Sequence, residues 1–193
     1  MTLVQFAGRQ GLFVAVASDT RQVQMLGKDF IFRAKDSEGK SGRLSNYVLS
    51  GGGGRVLCTQ RLRELIVEYA DGEEFLEDYV SAFERAIAKM STEREFKGYV
   101  SEEEDFQFSI LGFNTTGTTG MASFVSGPGE KVHYEPYEDD GTRLHVIAPS
   151  NDEIDIIRAV DFREPKKAKD FPVKFIERFA MVQKACFLND EDR

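Results

Sequence analysis

The chain has no tryptophan, two cysteines, two histidines and five prolines in 193 residues. Each scarcity removes a class of chemistry. Cys58 and Cys186 are too few for a disulfide framework, and without a CxxC spacing they do not suggest a zinc site. His133 and His145 have no ligand-like neighbour three or four residues further along, so a His-based metal centre or a Ser-His-Asp triad is hard to build. Positive charge is also in short supply. Twenty-five basic residues face 33 acidic ones, and the net charge of −8 argues against nucleic acid as a partner. No run of about 18 apolar residues is present to form a membrane-spanning helix. The start lacks a basic segment ahead of an apolar run, and Arg9 interrupts the pattern, so no secretory leader is expected.

What is present is ordinary globular chemistry, best read as a single domain over residues 1–193. Residues 2–8 and 12–18 are rich in Val, Phe, Leu and Ala, and Gly8-Arg9-Gln10-Gly11 between them signals a hairpin. A third strand is predicted at Phe30-Ile31-Phe32-Arg33, a loop over residues 35–42, and a fourth strand at residues 46–49. Ser50 and four glycines follow. Leu62, Leu65, Ile66 and Tyr69 then recur at helical spacing, and Asp71-Gly72 supplies a stop. A second helix, from near Glu73, carries Leu76, Tyr79, Val80, Phe83, Ile87 and Met90. The charged run Glu102-Glu103-Glu104-Asp105 reads as solvated surface before a strand at 106–113. Strands at 121–125, 131–134 and 143–147, a short helix at 152–160 and a last helix from about Phe171 complete the chain.

Two blocks of strands separated by a helical pair lack the alternation that a parallel Rossmann sheet needs. Two antiparallel sheets face to face, with helices outside each, would satisfy every apolar face. Thr2 is of chemical interest in this frame. Removal of Met1 would leave a hydroxyl and a free α-amine on one residue, a nucleophile with its base attached. Thr2 has an equally plain reading as part of an edge strand.

The element order and several local strings resemble the N-terminal-nucleophile hydrolases of the proteasome β-subunit and bacterial HslV type. The strings are Ala17-Ser18-Asp19-Thr20-Arg21 at the end of the first hairpin, Ser50-Gly51-Gly52 between a strand and the first helix, Ile110-Leu111-Gly112-Phe113 after the helical pair, and Asp170-Phe171-Pro172-Val173 at the last helix. The resemblance implies an α+β fold, a four-layer αββα sandwich. It implies a threonine peptidase or amidohydrolase with Thr2 as nucleophile, Asp19 supporting a lysine, and the Gly51 N–H in an oxyanion hole. Lys28 is the preferred lysine, with Lys35 as its alternative. Ser150 would sit near the amine, with Asp170 as its acidic partner. The plain alternatives are a turn for Asp19 and Lys28, tight packing or an anion nest for the glycines, and helix capping for Ser150 and Asp170. No GxxxxGK[ST] motif is present, which excludes a P-loop.

By the same resemblance the chain would be cytoplasmic, would need no cofactor or metal, and would act on a peptide or amide substrate. It would form a homo-oligomeric ring or related assembly, with an ATPase as a possible partner. The competing expectation is a catalytically inactive, proteasome-like subunit that serves assembly.

Overall fold

The computed structural model describes residues 3–18, 22–27, 30–32, 40–101, 106–138, 141–147 and 170–191. The chain opens on the predicted hairpin, β1 (Val4–Arg9) and β2 (Phe13–Ser18). It is closed by a tight turn in which Gly11 takes φ +61° and the Leu12 N–H donates to the Arg9 carbonyl. Strands β3 (Gln22–Gly27) and β4 (Phe30–Phe32) extend this sheet on one side, and β10 (Thr142–Ile147) pairs with β1 on the other. The order is β10-β1-β2-β3-β4. Strand β3 lies outside the expected elements, although Gln22-Val23-Gln24-Met25 alternates with the period of a strand.

The second sheet has the order β5 (Ser41–Arg43), β6 (Val48–Gly54), β7 (Phe106–Phe113), β8 (Thr119–Val125), β9 (His133–Pro136). Every pairing in both sheets is antiparallel. The apolar density of β7 matches its central place. Two expectations change here. The loop expected up to residue 42 gives way to β5, and the expected fourth strand runs on through all four glycines to Gly54.

Between the strand blocks lie α1 (Val56–Ala70), α2 (Leu76–Met90) and a short α3 (Lys97–Ser101). Helix α1 ends where Asp71 adopts the left-handed conformation, φ 49°, with Gly72 after it at φ 85°. Glu77 and Asp78 in the first turn of α2 and Lys89 in its last complement the helix dipole. The final helix, α4 (Phe171–Glu191), begins where expected. The helix expected at 152–160 lies outside the described residues.

Side-chain alternation along the strands divides the apolar residues into three cores. Val4, Phe6, Val14, Val16, Leu49, Leu111 and Met121 meet between the two sheets. Leu62, Ile66, Phe83, Ile87, Phe108 and Phe124 join α1 and α2 to the outer face of the second sheet, with Phe83 edge-on to Phe108 at 5.6 Å. Phe171, Phe175, Phe179 and Val182 of α4 cover the outer face of the first sheet against Leu3, Ala7, Phe13, Ala15 and Ala17. The chain is thus a mixed α+β fold of two antiparallel sheets packed face to face and flanked by helices.

Candidate functional site at the Val4 end of the sandwich

Register gives the first sheet two distinct ends. Val4 pairs with both Ser18 and Ile147, and Ser18 pairs with Gln22. At the other end Arg9 pairs with Phe13 and Thr142, and Phe13 pairs with Gly27, which pairs with Phe30. The step from Phe13 to Ser18 spans about 17 Å at about 3.3 Å per residue.

The inter-sheet space changes character between these ends. Toward Arg9 it holds Val14, Leu111, Met121 and Tyr137. Toward Val4 it keeps the apolar Val4, Phe6 and Val16 and gains two polar contacts. Ser41 Oγ donates to Ser18 Oγ at 3.2 Å across the two sheets, and both residues are buried. Ser109 Oγ stands 3.4 Å from His145 Nε2, again across the sheets. His145 pairs with Phe6 of β1, and their rings are tilted at 6.0 Å. Burial holds the His145 pKa below its usual value of 6.5, opposed by the nearby negative charge of Glu135. The ring is therefore neutral at pH 7. This Ser-His contact escaped the sequence reading because its residues lie far apart in the chain and meet only through sheet packing.

Gly51 and Gly52 sit in this region for steric reasons on opposite faces of β6. A Cβ on Gly51 would come within 2.7 Å of Val4 Cγ1 and 2.8 Å of Phe6 Cζ in the facing sheet. One on Gly52 would meet Phe108 Cδ2 at 2.7 Å and Thr59 Cγ2 of α1 at 3.0 Å. The absent side chains let both the second sheet and α1 approach the strand.

The same strand corrects the role expected of the Gly51 amide. Gly52 N–H donates to the Lys40 carbonyl at 2.8 Å, on the β5 side. Phe113 N–H donates to Tyr47 O, which sets the odd residues of β6 in hydrogen-bonded pairs with β7. Alternation of the ladder then directs the Gly51 N–H to β7, opposite Ser109, and not into an oxyanion hole. Nor do the four glycines form an anion nest: among them only Gly54 has a positive φ, of 88°. Gly54 is exposed at the strand-to-helix junction, and the same alternation turns its N–H away from β7, beyond the end of β5.

Thr2, Asp19, Lys28 and Ser150 lie outside the described residues, as does Lys35. The described residues next to them carry positional information through chain continuity. Val4, Ser18 and Ile147 end their strands side by side. Lys28 differs. Its described flanks, Gly27 and Phe30, are paired with each other opposite Phe13, at the far end. Strand β4 then runs back, with Phe32 level with Met25 and Ala15, and Lys35 follows Phe32 by three residues.

Asp170 is exposed at the start of α4. Its neighbour Phe171 packs on Phe13 at 3.8 Å between ring centroids, so Asp170 also belongs to the far end. Of the expected residues, only Gly51 and Asp170 are among the described ones: Gly51 lies at the Val4 end and Asp170 at the other. Among the described residues no group of three or more His, Cys, Asp or Glu could hold a metal ion.

No protein-family model matches the chain, and no curated protein matches its sequence.

Proposed function

We propose that the chain is an N-terminal threonine hydrolase, built as a four-layer αββα sandwich, that cleaves a peptide or amide bond. With Met1 removed, Thr2 Oγ1 attacks the substrate carbonyl and passes its proton to the Thr2 α-amine. Collapse of the tetrahedral adduct returns that proton to the leaving amine and leaves a threonyl ester. Water, deprotonated by the same α-amine, then cleaves the ester and restores Thr2.

One observation carries this reading: β1, β2 and β10 end side by side at Val4, Ser18 and Ile147, next to the buried contact of Ser41 with Ser18. In sequence, Thr2 precedes Val4 by two residues, Asp19 follows Ser18 and Ser150 follows Ile147 by three. In this reading Asp19 supports a lysine whose positive charge depresses the pKa of the nucleophile. Of the two candidate lysines, this reading assigns the role to Lys35, since Gly27 and Phe30, which flank Lys28 in sequence, pair opposite Phe13 at the other end of the sheet. Gly54, exposed at the strand-to-helix junction, is the oxyanion donor in this reading in place of Gly51.

The test joins intact mass with activity. The purified protein is expected to lack Met1 and to release product from a panel of fluorogenic peptides. Thr2→Ala and Lys35→Met are each expected to cut kcat/KM at least about 100-fold, and Lys28→Met to leave it within about twofold. Retention of Met1 in an active preparation, or full activity in Thr2→Ala, would overturn the proposal.

A second reading, a subunit that assembles without catalysis, draws on large apolar side chains on the outer helices. Leu57 of α1 is 62% exposed and Met181 of α4 is 60% exposed. It predicts no turnover and an oligomer in native mass spectrometry. A monomer at micromolar concentration would remove it.

A further inference from the structure

We propose that Arg63 binds a two-oxygen anion, a carboxylate or a phosphate, side-on at the rim between α1 and the edge strand β5. Arg63 stands on the third turn of α1 and reaches over Gly42, where a Cβ would lie 3.5 Å from its Nη1, 3.6 Å from Cζ and 4.0 Å from Nη2. The planar guanidinium thus lies against bare backbone. Its Nε and Nη2 are shielded from water and have no hydrogen-bond partner among the described residues.

These two nitrogens are the informative pair. Nε–H and Nη2–H lie on the same edge of the guanidinium and point in parallel, which is the fork that grips both oxygens of one carboxylate or phosphate. The local sequence offers no substitute. The residues three and four positions away on the helix are Thr59, Gln60, Ile66 and Val67, none of them acidic. Arg61, two residues earlier, shows the contrast: it is bridged to Glu93 at 2.7 Å and to Glu64 at 3.6 Å. Burial also depresses the Arg63 pKa, which reflects a cation shielded from water without a counter-charge. Arg63 as a whole keeps partial exposure, although its Nε and Nη2 are each closed to water, so the side chain reaches from the surface into the gap beside Gly42. A shielded cation without a partner is costly to a fold, whereas one matched by a bidentate anion is not. The inference is independent of the threonine chemistry.

The experiment is a thermal-shift and calorimetric titration of the full chain with inorganic phosphate or with acetate, ionic strength being held constant with sodium chloride. At least one anion is expected to raise Tm saturably, as a ligand of the native state does. Response to phosphate alone assigns a phosphoryl ligand, and response to acetate assigns a carboxylate. Arg63→Met is expected to weaken that binding by about tenfold or more, and Arg63→Lys, which keeps the charge but loses the fork, to weaken it nearly as much. The substitution to Met replaces a shielded charge by an apolar chain of similar reach, so the variant is expected to fold. Three outcomes overturn the proposal: no shift with either anion beyond that of chloride; equal shifts in the wild type and Arg63→Met; or a response that is absent from the wild type and gained in Asp36→Asn or Glu38→Gln, which would identify a carboxylate of this chain as the partner.

Discussion

Replacement of Gly51 by alanine tests how closely the two sheets approach at the candidate site. The new methyl carbon would lie 2.7 Å from Val4 Cγ1 and 2.8 Å from Phe6 Cζ, and 3.4 Å from the Lys40 carbonyl oxygen. Both apolar neighbours are fully buried, and each is held in the ladder of β1, so neither can swing into solvent. Overpacking of this kind costs about 1–3 kcal/mol, and contact with two fixed side chains places the cost near about 2–3 kcal/mol. For a chain of this size that is a fall in Tm of about 4–12 °C. Gly98→Ala is the matched control. Gly98 lies in α3 with no atom within 4 Å of a new Cβ, so the substitution only lowers the entropy of the unfolded chain and is expected to stabilise by about 0.4–1 kcal/mol. Urea unfolding of both variants, followed by far-UV circular dichroism, measures the two effects. A Gly51→Ala protein within about 0.5 kcal/mol of wild type would refute the close approach of the sheets.

The His145 pKa is lowered in the folded chain, so the unfolded state binds more protons just below pH 6.5. The stability that His145 contributes is complete above pH 6.5 and is lost as pH falls toward its folded value, with a slope of at most about 1.4 kcal/mol per pH unit. His145→Gln is expected to flatten this part of the curve in urea titrations between pH 7.5 and 5.5, and an unchanged slope would contradict the assignment. Phe175 is fully buried between α4 and the first sheet and stacks on Phe171 at 5.9 Å. Phe175→Ala is expected to cost about 3–5 kcal/mol by equilibrium unfolding, and a loss below about 1 kcal/mol would mean that α4 is not a full layer of the fold.

The four described helices and the strand pairs differ in how visible they are from local sequence. The stop of α1 rests on Asp71-Gly72 alone, a short-range device in which the backbone takes a left-handed turn. The apolar stripe of α2 and the density of β7 are likewise local, and both elements stand where those patterns point. Strand β6 is different. Glycine has little strand preference of its own, so Gly51-Gly52-Gly53-Gly54 resembles a loop until β5 and β7 hydrogen-bond to it from both sides. Its function as a strand depends on neighbours that no window of sequence contains.

The same division runs through the candidate site. The sequence by itself determined the first hairpin, the helical pair, the later strand block and the chemistry that Thr2 and Asp19 could offer, because periodicity, turn residues and side-chain chemistry act over a few residues. Only the tertiary structure decided which ends of the strands meet. Register separates the flanks of Lys28 from Ser18, sends Asp170 to the Phe13 end, and commits the Gly51 amide to β7. Packing of the two sheets brings Ser109 to His145, and packing of α1 on β5 leaves the Arg63 fork without a partner among the described residues. These are consequences of pairing between segments distant in the chain, where a shift by one residue would turn every side chain to the opposite face.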